Sequence, residues 1–270
     1  MLKSRYKKAS SRITRRSKVR KIFGLFIKTG LPTAFLVGLV FVLRADFLQI
    51  KNFEILGAET IQTENIKNIA QSLTLGNKLF LIPKSNIFLL NKNNLANVLL
   101  ANFPRAEKVE INKHFFSQKI ELKIMERKGE FLWCSTQDEC LAMTKDGFVF
   151  EKSSIATGKI IFRGILEGNP LMKNFSTPQK MQNYIKLIET FKNSGFEISS
   201  INIESSDKAI AKMNINNAIS DVIFNPKETD LSLIAQNAIL LIKETQIKSP
   251  SAHFQYIDAR FGNKMFYKLQ

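Results

Sequence analysis

Two cysteines, two histidines and a scattering of acids are the residues of this chain with any claim on chemistry. Cys134 and Cys140 stand six apart. Two ligands do not make a zinc site, which needs three or four, but in an oxidising compartment such a pair closes a small disulfide loop. Two unpaired thiols are the alternative. So short a loop removes little chain entropy, at most about 2–3 kcal/mol, and pins a turn rather than a fold. His114 and His253 lie far apart without supporting residues and read as surface or sheet positions. Neither a glycine-rich phosphate loop nor an activated Ser or Cys arrangement is present. No pair of acids asks to be read as general acid and base. Asp258 and Arg260, two apart on a strand, read as a same-face ion pair. The expectation is a protein that is not an enzyme, with no catalytic residues, metal, cofactor or small-molecule substrate.

Charge is concentrated at one end. The net charge is +17, and residues 1–44 hold twelve Lys or Arg and no acid, which leaves only +5 for the other 226 residues. The pI of 9.9 therefore describes a tail and not a basic domain. Ten basic residues fall between Lys3 and Lys21, and a mostly apolar run follows from Ile22 to Leu43, broken by Lys28, threonines, glycines and Pro32. As a helix that run is about 33 Å long, the thickness of a bilayer's hydrocarbon core. Lys28 lies near one end and can snorkel outward. The expectation is a basic cytoplasmic tail over 1–21, a single transmembrane helix over 22–43, and everything after it outside the plasma membrane. A cleaved signal peptide is the competing reading, poorly served by Leu43-Arg44-Ala45. A basic run can also bind nucleic acid, but here topology and anionic headgroups account for it, so no nucleic-acid partner is expected.

The remaining residues divide near Glu126–Lys128. The first segment reads strand, helix, helix, strand, strand. Phe47 to Ile55 settles into alternation and Gly57 ends it. Thr63 can cap a helix carrying Ile66, Ile69, Ala70 and Leu73. A second helix holds Leu95, Val98 and Leu99 and closes before Phe103-Pro104. Val109 and Ile111, then Ile120, Leu122 and Ile124, alternate with charges as two strands joined at His114–Gln118. A sheet of Phe47–Leu56, Ala106–Lys113 and Lys119–Glu126 with both helices on one face should bury Phe53, Ile66, Leu99, Val109 and Leu122. The second segment is richer in strands. Lys145-Asp-Gly147 marks a tight turn, and Thr177-Pro178 starts a helix bearing Met181, Tyr184, Ile185, Ile188 and Phe191. Strands follow at Ile198–Glu204, Ala209–Ile215 and Ala218–Phe224. Asn225-Pro-Lys-Glu228 resembles a cap for the helix with Leu231, Ile234, Ala238 and Leu241. Phe254–Arg260 and Lys264–Leu269 close the chain as strands around Gly262-Asn263. The class is α+β: a single membrane helix, a βααββ module, and a mixed β domain with two helices.

Several runs carry a resemblance to the bacterial cell-division proteins of the FtsQ/DivIB family. They are Phe47-Leu-Gln-Ile-Lys-Asn-Phe-Glu-Ile-Leu-Gly57, Gly76-Asn-Lys-Leu-Phe80, Phe103-Pro-Arg-Ala-Glu-Lys-Val109, Ile120-Glu-Leu-Lys-Ile-Met-Glu-Arg127, Asp146-Gly-Phe-Val-Phe150 and Tyr256-Ile-Asp-Ala-Arg-Phe261. Phe115-Phe116 replaces the family's aromatic-Pro pair, Ala259 stands where Leu is usual, and the Cys134–Cys140 loop is not general to the family. The resemblance implies a POTRA domain at 47–127 and an FtsQ-type β domain at 128–270. It implies a non-enzymatic divisome scaffold for septal peptidoglycan synthesis, with FtsB/DivIC-like and FtsL-like bitopic coiled-coil proteins as partners. It further implies partner binding by strand addition at Phe261–Leu269, beside Tyr256, with Phe261, Lys264, Met265, Phe266 and Tyr267 as contacts. The competing view is that these aromatics merely seal the domain core. Other membrane-tethered POTRA adaptors, or a tethered cell-wall enzyme, are the remaining alternatives. Outer-membrane assembly factors with POTRA modules need a β-barrel, for which no residues remain.

Overall fold

The computed structural model describes residues 11–270 except 79–80, 136–138, 155–157, 216–217 and 263, with side chains described from residue 28 onward. Two compact units are present, Met1–Leu99 with Lys108–Ile124, and Leu100–Glu107 with Met125–Gln270.

The first unit begins with α1 (Ser11–Arg44), which contains Pro32. The expected membrane span is not borne out. Among the described residues no helix is long and apolar enough to cross a membrane. Lys28, Thr29, Gly30, Pro32, Thr33 and Gly38 dilute the apolar run, and in this helix Thr33 turns its hydroxyl back onto the Thr29 carbonyl at 2.7 Å. The expected tail over 1–21 and the start of the expected span lie outside the residues whose side chains are described.

After α1 come β1 (Asn52–Leu56), α2 (Thr63–Thr74), the two-residue strands β2 (Asn77–Lys78) and β3 (Ile82–Pro83), α3 (Lys92–Asn102), β4 (Ala106–His114) and β5 (Lys119–Glu126). The sheet order is β1-β5-β4, with β1 parallel to β5 and Phe53 opposite Ile120. On β5, Ile120, Leu122 and Ile124 are buried, whereas Lys123 and Met125 are exposed. The sheet therefore has one covered face; α2, with Ile66 and Ala70 fully buried, packs against β1, and Leu99 of α3 is fully buried as well. Phe53, Ile66, Leu99 and Leu122 are buried as expected, but Val109 is only half-buried and Ile111 takes its place inside. The first strand is shorter than expected, because Asp46–Leu48 forms a 3-10 turn. Gln62 and not Thr63 caps α2, and it does so without a side-chain bond to the helix N–H groups. Gly57 closes β1 at φ +78°, where an added Cβ would lie 2.4 Å from the Ile124 carbonyl oxygen. Only glycine fits that approach.

The second unit holds β6 (Phe131–Cys134), β7 (Cys140–Met143), β8 (Phe148–Ser153), β9 (Ile161–Arg163), β10 (Lys173–Asn174), α4 (Pro178–Asn193), β11 (Ile198–Ile203), β12 (Ala209–Ile215), β13 (Ala218–Phe224), α5 (Leu231–Lys248), β14 (Phe254–Phe261) and β15 (Lys264–Leu269). All ten strands form one sheet in the order β10-β8-β7-β6-β9-β11-β12-β13-β14-β15. The class is thus mixed α/β, a correction to the α+β expectation. Strand β9 runs parallel to both β6 and β11, and β13 runs parallel to β14. Parallel neighbours need a long crossover, supplied by α4 between β9 and β11 and by α5 between β13 and β14. Strands β9, β11, β13 and β14 all point the same way, and both crossovers step in the same direction across the sheet. Two crossovers of the usual hand therefore put both helices on one face. That face holds the core, with Phe191 and Met181 of α4, Ala235 and Ile242 of α5, and Phe162, Phe224, Phe254 and Ile257 of the sheet.

Local signals account for the boundaries. Thr177 Oγ1 accepts from the Lys180 N–H at 3.4 Å, and Pro178 opens α4. Gly147, at φ +92°, turns β7 into β8. Helix α5 is capped by Asp230, whose Oδ1 accepts from the Ser232 N–H at 3.0 Å. The expected cap at Asn225 is instead a turn bond to the Lys227 N–H, also 3.0 Å.

Candidate functional site

Strand β15 ends the large sheet, and among the described residues it is hydrogen-bonded on one side only, to β14. The two ends of that sheet differ. Strand β10 is two residues long, too short to template much pairing, whereas β15 offers six. Most of β15 is exposed, including Lys264, Phe266, Tyr267, Lys268 and Leu269, with Met265 half-buried. An edge like this presents a row of backbone donors and acceptors for a further strand.

Register sorts the expected contact residues onto two faces. Side chains directly opposite each other share a face. Ile257 pairs with Tyr267, and Asp258 with Phe266. Tyr267 lies on the core side, its ring 5.7 Å from that of the buried Phe254, and Met265 packs against the same core. Phe266 lies on the opposite face, meeting Phe261 edge-on at 5.3 Å. Tyr256 pairs with Lys268 on that second face and is half-buried. The aromatics do not form one cluster. Tyr267 and Met265 help to close the core, as the competing reading held, while Phe261 and Phe266 stand half-exposed away from it.

A hydrogen-bonded bulge shapes the approach to this edge. The ladder between β14 and β15 shifts register between Asp258 and Phe261. There Arg260 donates to Asp258 through Nε at 2.9 Å and a terminal guanidinium nitrogen at 2.7 Å, and the Arg260 backbone N–H adds a bond at 3.2 Å. Burial pushes the Asp258 carboxyl up, but these bonds from Arg260 outweigh it and hold the group below its ordinary value. The guanidinium also lies 5.5 Å from the Phe261 ring centre. The same-face ion pair foreseen for Asp258 and Arg260 is present, and it locks the bulge that aims Phe261.

Cys134 and Cys140 are disulfide-bonded with Cα atoms 4.1 Å apart, directly opposite each other across β6 and β7. A cavity of about 420 Å³ lies beside the bond, lined in part by Trp133, Leu141, Lys152 and Leu171. Glu139 is the only carboxylate among its described lining residues. His114 sits 3.5 Å from Glu121, and His253 is half-buried with Nδ1 unpartnered. Among the described residues no three His, Cys, Asp or Glu side chains gather where they could hold a metal.

Sequence reasoning missed one cluster. Arg105 bonds Glu126 at 3.0 Å, pairs closely with Glu151, and lies 5.8 Å from the Phe150 ring centre. Its partners lie 21 and 46 residues away, so no spacing rule could have found it. No family model and no curated protein matches this sequence.

Proposed function

We propose that this chain is a non-enzymatic scaffold of the bacterial divisome, held at the outer side of the plasma membrane. There it recruits small bitopic coiled-coil proteins of the FtsB/DivIC and FtsL kinds for septal peptidoglycan synthesis. The observation that carries the reading is the open β15 edge with Phe261 and Phe266 exposed beside it. A partner strand added there gains main-chain hydrogen bonds along β15 and places alternate side chains over those rings. Lys264 and Lys268 are exposed on the same strand and favour an acidic partner segment, which sets register and encounter rate. They also discourage self-pairing of the edge. The Cys134–Cys140 bond supports an oxidising, extracytoplasmic setting. The order of modules, a three-stranded sheet with two helices followed by a strand-rich unit, supports the resemblance to FtsQ/DivIB proteins.

The test is co-purification of the tagged chain from dividing cells. Small bitopic division proteins are expected with the wild-type chain and lost with Phe266→Ala, a change on the face away from the core. Tyr267→Ala is the less discriminating variant, because its ring also packs on Phe254. Unchanged recovery of the partner by a folded Phe261→Ala/Phe266→Ala double variant rules out this edge as the binding surface.

A further inference from the structure

Four phenylalanines at one end of the first unit are exposed where a soluble surface would hide them. Phe47 is 64% exposed, Phe88 56%, Phe115 41% and Phe116 108%. They come from three separate segments: the turn after α1, the loop before α3, and the β4–β5 hairpin tip. One short stretch of chain ties the three together. Residues 46–51 leave α1 and run between the loop and the tip. On the loop side the Ile87 N–H donates to the Leu48 carbonyl and the Ile50 N–H to the Ser85 carbonyl, both at 2.8 Å. On the tip side the Lys51 N–H donates to the Gln118 carbonyl at 2.8 Å, and the Gln118 side chain donates to the Asp46 carbonyl. Phe88 and Phe115 stack at 4.6 Å across the gap.

The end of α1 is anchored to the same platform. Asn86, fully buried, donates through Nδ2 to the Leu43 carbonyl at 2.8 Å. Its Oδ1 accepts from the Phe88 N–H at 2.9 Å. Gln49 donates to the Leu43 carbonyl at 3.2 Å and takes the Ser85 hydroxyl at 2.7 Å. One pair of amide side chains thus fixes the helix end to the loop that carries Phe88. Above this junction α1 exposes Leu31, Phe35, Leu36, Val37, Leu39, Phe41 and Val42. The apolar surface of the helix is continuous with the chain segment that bears the aromatic rim.

We infer that Phe47, Phe88, Phe115 and Phe116 form a rim that sinks into the headgroup layer of an anionic lipid bilayer where α1 meets it. Charge selects this occupant. The first 44 residues carry twelve basic groups and no acid, a match for anionic headgroups. Phenylalanines beside such a segment suit the boundary between headgroups and acyl chains. Rim insertion requires no helix that crosses the bilayer. It fixes which end of the first unit faces lipid, and its residues belong to the first unit, whereas the β15 edge proposed to bind the divisome partner belongs to the second.

The experiment places single tryptophans in the full chain and reads them in vesicles of phosphatidylcholine with phosphatidylglycerol. The natural Trp133 is buried, so the wild-type spectrum serves as the background to subtract. Phe116→Trp and Phe47→Trp are expected to shift emission to shorter wavelength on vesicle binding. Both should lose most of it to lipids brominated near the headgroup and become shielded from aqueous acrylamide. Met125→Trp, at the far end of β5 from the hairpin tip, is expected to stay accessible to acrylamide. Because Phe116 and Phe47 are exposed, either substitution should leave the fold intact, and the two report independently. Indoles that remain open to acrylamide and untouched by brominated lipid in the vesicle-bound chain overturn the inference. So does a shift that appears without vesicles and grows with protein concentration, which would mean that a second copy covers the rim.

Discussion

Asp258 is held ionised against its own burial, and this makes it a source of pH-dependent stability. Burial by itself would raise its pKa, but the Arg260 guanidinium and backbone N–H lower it below the ordinary carboxylate value. A group depressed in the folded state adds stability that is complete above its unfolded pKa, near 4, and is lost as pH falls through the folded value. Asp258→Asn should therefore lower stability by about 1–3 kcal/mol at neutral pH. The deficit relative to wild type should shrink as the pH is taken below about 4. Urea titrations of both proteins between neutral and acid pH check this. A deficit that stays constant over that range would place the cost in packing and not in the ion pair. Gly57 makes a second residue-scale case. With φ at +78° and the Ile124 oxygen where a Cβ would go, Gly57→Ala must move backbone. It should destabilise the first unit by about 2 kcal/mol or more, read as faster amide exchange along β1 and β5. Both residues stand out in the sequence, Gly57 as a strand terminator and Asp258 with Arg260 as a pair. What each touches comes from segments too distant for spacing to reveal, or from a bulge that only pairing creates.

Among elements, β15 and the β6–β7 hairpin carry the sharpest expectations. The two faces of β15 have different neighbours, so Tyr267→Ala and Phe266→Ala should separate. Removing Tyr267 exposes Phe254 and should cost roughly 1–3 kcal/mol of stability. Removing Phe266, which meets the exposed Phe261, should leave thermal unfolding within a degree or two, since a surface change costs about 0.5 kcal/mol or less. Calorimetry of the two variants separates them, and equal destabilisation would put both rings in the core. The disulfide closes a loop only six residues apart in sequence. Cys134→Ser/Cys140→Ser should cost at most about 2–3 kcal/mol and leave the second unit folded. Loss of the cooperative unfolding transition in that variant would mean that the bond holds more than its turn. The element boundaries followed local rules closely: Pro178 after Thr177, the turn at Gly147, alternation along β12. Residue type alone misplaces three boundaries. Asp230 and not Asn225 caps α5, because polar residues near one helix end compete for the same N–H groups. Gln62 stands at the cap of α2 with no side-chain bond, and a 3-10 turn replaces the expected start of β1.

For the whole molecule, the sequence alone determined where charge and hydrophobicity lie, which residues alternate, and hence most of the described strands and the described helices after α1. These are local properties, set by a period of two or 3.6 and by the turn residues that interrupt it. It also marked the stretch at 22–43 as apolar, but the inference to a membrane span did not hold, since composition does not weigh polar interruptions as a helix must. Strand order belonged to the tertiary structure. Nothing in the runs at β9, β11, β13 and β14 says that they point the same way, yet that common direction puts α4 and α5 on one face and leaves β15 as the open end. The four-phenylalanine rim arises likewise, from segments some 70 residues apart meeting on one stretch of backbone. Edges and rims are what remains after every other strand has found its neighbour, so only the assembled sheet can decide them.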